Sequence, residues 1–302
     1  MDRFEAMTVL LRVVDKGSFS AASRDLGMPL ASVSRKVMEL EAHIGTRLLV
    51  RTTRKLALTD AGAVYVASAR RILSEIDESE RVAAGELHAP RGQLTLTAPI
   101  LFGRLHILPI VTAFLAAYPE INVQLLLSDR DLHLVADQVD MAVRIGRLSD
   151  SSMIATRVGA MRTVVCASPA LLAAHGAPRT PEQMTRFPCV SFDFLTPTSS
   201  WAFRLKDANS EVDIPISPRL SVTTAEAAVW AAAQDVGATR VLHYQCVDAV
   251  RDGLLQIVLA AFEIEPAPVH LLHAARGVLP SKMRVFLDFA AERLRRRLEG
   301  LG

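Results

Sequence analysis

The chain has 302 residues, half of them hydrophobic and 22% charged, with a formal net charge of +2; this suits a globular protein of two or three domains and excludes a disordered, collagenous or disulfide-rich chain. The charge is unevenly placed: up to Leu58 ten Lys and Arg stand against six Asp and Glu, from Thr59 to Pro90 three against six, and from Arg91 onward twenty-one against twenty. The positive excess is confined to the first sixty residues and is mild rather than extreme.

The opening MDRFEAMTVLLRVVDKGSF has no apolar core of signal-peptide length, and no later run is long enough to span a bilayer, so a cytoplasmic chain with no membrane partner is expected. Phe4, Met7, Leu10, Leu11 and Val14 recur at three and four, which predicts an amphipathic helix ending near Gly17. Ser18 or Ser20 can cap a second helix holding Ala21, Ala22 and Leu26, with Gly27 as its stop. Pro29 fits the first turn of a third helix, where its missing N–H is not needed. In that helix Val33, Val37, Leu40 and Ile44 form the packed stripe, and Ser32, Ser34, Arg35, Met38 and Glu39 the opposite arc, with Lys36 at its edge. A solvated surface helix has the same pattern, so amphipathicity alone does not separate packing from DNA contact. The following GTRLLVRTTRKLALT brings Arg47, Arg51, Arg54 and Lys55 together among β-branched and alternating residues. It predicts a short basic hairpin that can set cations and hydroxyls against phosphate oxygens.

The segments GSFSAASRDLG, SVSRKVMELEAHIGTRLLVR and TTRKLALTDAG, in this order and without a gap, resemble the winged helix-turn-helix of the LysR-type transcriptional regulators. The resemblance implies that the third helix enters the major groove and the wing rests on the backbone. By that carry-over Ser32, Ser34, Arg35 and Lys36 take groove-facing positions, and Arg51, Thr52, Thr53 and Arg54 lie on the wing. One departure stands out: where many members open the recognition helix with Ser-Gln-Pro, this chain has Pro29, Leu30 and Ala31. A glutamine can pair with adenine, whereas Leu30 offers only apolar contact, for example with a thymine methyl.

From Thr59, a hydroxyl placed to cap, a long helix is predicted with Asp60 at its positive end. Tyr65, Ala69, Ile72, Ile76, Ser79 and Ala83 alternate at four and three, a coiled-coil seam and hence a dimer; a single helix lying on the protein body is the alternative. Gly85, Pro90 and Gly92 break the pattern, so the expected division is a DNA-binding domain at 1–58, a linker helix and hinge at 59–90, and a third part at 91–302.

The third part alternates strand and helix: strand Gln93 to Ala98, helix Leu101 to Tyr118, strand Ile121 to Leu127, a helix through Leu134 and strand Met141 to Ile145. Strand Thr163 to Ala167 precedes a helix opened by Ser168 and Pro169. Strand Leu220 to Val222, helix Thr224 to Val236, strands Thr239 to His243, Leu254 to Leu259 and Val269 to Ala274 follow, and a helix from Ser281 to about Leu298 ends the chain. This predicts parallel, doubly wound α/β sheets in two lobes, lobe I at about 91–162 and 268–302 and lobe II at about 163–267. The same family's effector domain, similar to periplasmic solute-binding proteins, has that organisation. Ligands bind beyond the carboxyl ends of parallel strands, which places Pro99, Ile100, Leu101, Phe102, Ser128, Arg144, Phe192, Thr223 and Thr224 at the cleft. Resemblance also puts Gly237 to Arg240 nearby. For any one Ser or Thr the alternative is a simple helix cap.

Cys166, Cys189 and Cys246 are distant from one another and lack metal-ligand spacing, and the eight histidines are scattered with no HExxH among them. With no GxSxG, GxxxxGK or GxGxxG, no enzyme chemistry and no cofactor is expected. Arg293, Arg295, Arg296 and Arg297 near the C-terminus suit the negative end of a helix better than a second DNA contact. The expectation is a LysR-type regulator: a homo-oligomer on a dyad-symmetric promoter site, sensing a small molecule. The resemblance adds a tetramer, and RNA polymerase is an expected partner. A solute carrier would need the cleft without the basic head, and an architectural DNA binder the head without the lobes.

Overall fold

The computed structural model describes residues 2–51, 56–83, 90–130, 134, 137, 139–148, 153–192, 200–205, 210–274 and 279–299. The chain divides into two compact units, Met1–Gly92 and Gln93–Gly302.

In the first unit α1 (Arg3–Lys16), α2 (Phe19–Leu26) and α3 (Leu30–Ile44) are followed by a hairpin of β1 (Leu49–Arg51) and β2 (Leu56–Leu58) and by α4 (Asp60–Ala83). Each of the first two helices starts where a side chain satisfies free amides: Asp2 accepts from Phe4 and Glu5, and Ser18 from Ala21. All three close on glycines in the left-handed region, Gly17, Gly27 and Gly45. Their core joins Val9, Leu10 and Val13 of α1 to Val33, Val37 and Leu40 of α3, with Leu48 and Leu49 of the hairpin and Val66 of α4. Thr59 caps α4 by accepting from the Gly62 amide at 2.8 Å. Gly62 must be glycine, because a Cβ there would sit 1.9 Å from the Leu48 carbonyl oxygen. Of the seam residues Ala69 is fully buried, and Tyr65, Ile72 and Ile76 are half-buried.

The second unit contains two five-stranded sheets. Strands β3 (Gly92–Ala98), β4 (Ile121–Leu127), β5 (Met141–Ile145) and β6 (Ile154–Met161) belong to the first, with α5 (Ile100–Phe102), a π-helical turn (Gly103–Ile107) and α6 (Leu108–Ala117) running on from β3. After Arg162 come β7 (Thr163–Ala167), α7 (Pro169–His175), β8 (Cys189–Ser191), β9 (Ser200–Arg204), β10 (Glu211–Pro215), β11 (Pro218–Ser221), α8 (Ala225–Ala233), β12 (Ala238–Leu242), α9 (His243–Arg251) and β13 (Gln256–Val258). Then β14 (Ala267–His273) and α10 (Ser281–Leu298) return to the first sheet. The strand orders are β4-β3-β5-β14-β6 and β11-β8-β12-β7-β13, with β9 and β10 a separate hairpin.

The expectation of parallel sheets needs correcting: both are mixed. β3 and β5 run parallel, but β14 is antiparallel to β5 and β6; β8 is parallel to β11 and β12, but β7 is antiparallel to β12 and β13. The reason lies in the crossings. β6 continues through Arg162 directly into β7, and β14 comes back beside β6 with Ala267 opposite Met161. A strand that leaves one sheet to enter the next, and one that returns, have no crossover helix and therefore run against their neighbours.

Ile100–Ala117 is long and apolar enough by composition to cross a membrane, unlike the sequence-based expectation that no run is. Here Leu101, Phe102, Ile107, Ile110, Val111 and Phe114 are instead core of the first lobe, packed with Met283, Phe286, Ala290 and Leu294 of α10. The helix expected through Leu134 falls mostly outside the described residues; Leu134 itself is buried beside Val139 and Ala142. Cys166, Cys189 and Cys246 are free and buried.

Candidate DNA-binding face and effector cleft

Met28 and Pro29 turn the chain between α2 and α3, held by the Met28 amide on the Ser23 carbonyl at 3.1 Å and by the Ser23 hydroxyl donating to the Met28 carbonyl at 2.6 Å. The third helix then buries Val33, Val37 and Leu40 and turns Leu30, Ala31, Arg35, Met38 and Glu39 to solvent, with Ser34 half-buried among them. The Arg35 side chain is 68% exposed and its guanidinium lies 3.8 Å from Glu39 one turn on, a weak surface pair that leaves its donors usable. Lys36 stands apart from this arc. Its ammonium is paired with Glu5 of α1, its side chain is four-fifths buried, and Ser32, one turn earlier, shares its side of the helix. The structure thus gathers Ser34 and Arg35, and sets Lys36 and Ser32 toward α1.

The hairpin is fastened to this helix. Glu41 accepts the amides of Leu48 at 2.8 Å and Leu49 at 3.0 Å, and the Thr59 hydroxyl donates to the Arg47 carbonyl at 2.8 Å. Arg51 pairs with Leu56 in the ladder, while Thr52, Thr53 and Arg54 lie outside the described residues. Sequence reasoning missed Glu41; its distance of seven and eight residues from its partners matches no local rule.

In the second unit Pro99 begins the helix after β3, and Asp129 accepts the Ile100 amide at 2.9 Å. The Ser128 amide donates to Ala98 at 3.0 Å, and the Ser128 hydroxyl accepts from Arg130 at 3.1 Å, so these two loops are tied together. Pro99 and Ile100 reach the surface. The Leu101 and Phe102 side chains do not: the helix turns them into the first lobe's core. Arg144 on β5 is half-buried, opposite His270 of β14. Phe192 is half-buried against Ala225, Ala228 and Ala232 of α8. Thr224 caps α8 by accepting from Ala227 at 3.2 Å, and Thr223 before it is exposed.

Residues outside the expected set join the two lobes. Arg104 donates to Glu226 of α8 at 3.0 Å. Tyr244 at the start of α9 is buried in the first lobe's core, edge-on to Phe102 at 5.6 Å and near His106 at 5.7 Å. At the crossing, Arg162 grips Glu263 through two hydrogen bonds of 2.9 Å. His106 is 7% exposed, and burial together with the nearby Arg297 guanidinium holds its pKa down to about 4, so it is neutral near pH 7. Arg297 donates to His106 Nδ1 at 3.3 Å and to the Leu105 carbonyl at 3.0 Å, and Arg293 lies over the Phe289 ring at 3.4 Å. These C-terminal arginines are therefore engaged within their own unit. Among the described residues no group of His, Cys, Asp or Glu is arranged to hold a metal ion.

A winged helix-turn-helix with an exposed recognition face, joined in one chain to a two-lobed α/β domain, defines a DNA-binding regulator that takes a small-molecule effector. The chain belongs to the LysR family of transcriptional regulators: residues 4–63 match "Bacterial regulatory helix-turn-helix protein, lysR family" and residues 88–295 match "LysR substrate binding domain". It is similar to an HTH-type transcriptional regulator of Xanthomonas campestris pv. campestris, 34% identical over 95% of this chain and 84% of that one. It is also similar to the HTH-type transcriptional regulator CrgA of Neisseria meningitidis serogroup C, 33% identical over 98% of each. The solved structure of CrgA from Neisseria meningitidis superposes with a TM-score of 0.60 at 31% identity, covering 96% of this chain and 98% of that one.

Proposed function

We propose that the protein acts in the cytoplasm as a homo-oligomeric transcription switch, without catalysing a reaction. Two heads joined through α4 address a dyad-symmetric promoter site, and a second pairing makes the tetramer. Ser34 and Arg35 work in the major groove, Ser32 and Lys36 at its margin, and Arg51, Thr52, Thr53 and Arg54 hold the backbone from the wing. The effector lies between Pro99, Ile100, Ser128 and Arg144 on one lobe and Phe192, Thr223 and Thr224 on the other, and Leu101 and Phe102 support that wall from below. An effector that binds one arrangement of the oligomer better shifts the population toward it, changing how the DNA is held and presented to RNA polymerase.

The observation that carries this reading is the face of α3, where Ser34 and Arg35 project opposite the buried Val33, Val37 and Leu40. Footprinting of the full-length protein on DNA upstream of its own coding sequence, repeated across a panel of small metabolites, tests it. A two-fold footprint that shortens or shifts with one compound supports the proposal; the absence of any competitor-resistant protection rejects it.

A further inference from the structure

The exposed arc of α3 is more apolar than a solvated helix face requires. Leu30 is 47% and Met38 54% exposed, and Ala31 is exposed beside them. Leu30, Ser34 and Met38 follow one another at spacings of four, a single line along the helix, with Ala31 and Arg35 flanking it. Of the neighbouring polar groups, Lys36 is committed to Glu5 and Glu41 to the Leu48 and Leu49 amides, while the exposed Glu39 stands 3.8 Å from Arg35 on the flank. What the line offers a partner is two large apolar side chains around one hydroxyl, with the Arg35 guanidinium and its Glu39 neighbour alongside.

In the major groove the base edges present hydrogen-bond donors and acceptors, and the apolar group that projects from them is the thymine 5-methyl. A Leu or Met laid against a donor or acceptor strips its water and returns nothing, whereas against a methyl both lose apolar surface. The partner's charge also fits: among the exposed residues of the line and its flank the cation is Arg35, suited to guanine or phosphate. We propose that Leu30 and Met38 read thymine methyl groups, making them specificity-determining residues of the recognition helix. Eight residues at 1.5 Å each separate them by about 12 Å. The two thymines therefore lie about three to four base-pair steps apart, with the Arg35 contact between them or beside them. This inference rests on the placement of α3 in the major groove.

The test starts from duplexes selected out of a random pool by the full-length protein. The preferred duplex is remade with deoxyuridine in place of thymidine, one position at a time; deoxyuridine keeps the hydrogen-bonding edge and lacks the methyl. Affinity is then measured by fluorescence anisotropy for the wild type, Leu30→Ala, Met38→Ala and Arg35→Ala. Losing one buried methyl is expected to weaken wild-type binding about fourfold at each of two positions. Leu30→Ala abolishes the thymidine preference at one of them and Met38→Ala at the other, while Arg35→Ala weakens binding and keeps both preferences. Equal wild-type affinity for every deoxyuridine duplex overturns the methyl readout and leaves α3 as a DNA reader. So do preferences that persist unchanged in both alanine variants, which would assign the exposed Leu30 and Met38 to a protein contact. Failure to select any sequence rejects the groove placement itself.

Discussion

Glu41, near the end of α3, accepts both the Leu48 and Leu49 amides at 2.8 and 3.0 Å, so one carboxylate couples the recognition helix to the first strand of the wing. Glu41→Ala leaves two part-buried donors without that acceptor, which costs about 1–3 kcal/mol and frees the wing from the helix. Glu41→Gln retains the side-chain carbonyl oxygen and should lose about half as much or less. Urea denaturation of the full chain measures the stability; the salt dependence of DNA binding shows whether the alanine variant has lost wing phosphate contacts, as expected.

The Arg162–Glu263 pair ties the two crossings between the lobes. Its side chains are 35% and 15% exposed, so it is neither a solvated surface pair nor a fully buried one. Glu263→Gln leaves the guanidinium with weaker acceptors and is expected to destabilise the effector domain by about 1–2 kcal/mol. Differential scanning calorimetry should show the transition of this domain moving down, with that of the DNA-binding head unchanged.

His106 makes the effector domain sensitive to acid. Its pKa is about 4 in the folded chain and near the ordinary 6.5 once unfolded. Above 6.5 it is neutral in both states; as pH falls from 6.5 toward 4 the unfolded state takes up the proton and the folded state does not, so stability is lost. The loss amounts to about 2–3 kcal/mol across that window. His243, His270 and His273 are also shifted down by burial and act in the same direction. Chemical denaturation at stepped pH should show a shallower decline for His106→Leu than for the wild type, once each is referred to its own stability at pH 7.5.

Much of the architecture was legible because it is local. Closing glycines and three-four spacing define α1, α2 and α3, with Ser18 capping the second, and α10 runs over Ser281–Leu298 as its periodicity predicts. What escaped depends on distant partners. β6, with its glycine, alanines and arginine, carries no strong strand pattern; its long pairing with β14 holds it, more than a hundred residues away. The hairpin of β9 and β10, the short β8 and helix α9 were unforeseen for the same reason, and the antiparallel run of β14 follows from the return crossing. At the site, Lys36 and Arg35 are adjacent cations in sequence, and the opposing Glu5 of α1, which pairs with Lys36, is what distinguishes their surroundings. Leu101 and Phe102 were assigned to the cleft by strand-end position, but the helix beginning at Ile100 rotates them into the core.

Arg54 and Arg35 should fail differently. Arg54→Ala is expected to weaken binding to all sequences alike and to reduce the slope of log affinity against log salt by about 0.9, the equivalent of one phosphate contact. Titrations at four or more salt concentrations, on a preferred and a scrambled duplex, distinguish the two effects.

The central claim, that α3 reads base edges, is tested most directly by the affinity of Arg35→Ala for a selected duplex and for a random one of equal length. The account predicts a loss of about 1–3 kcal/mol on the selected duplex and little on the random one. Equal losses on both would contradict it and leave Arg35 as a backbone contact.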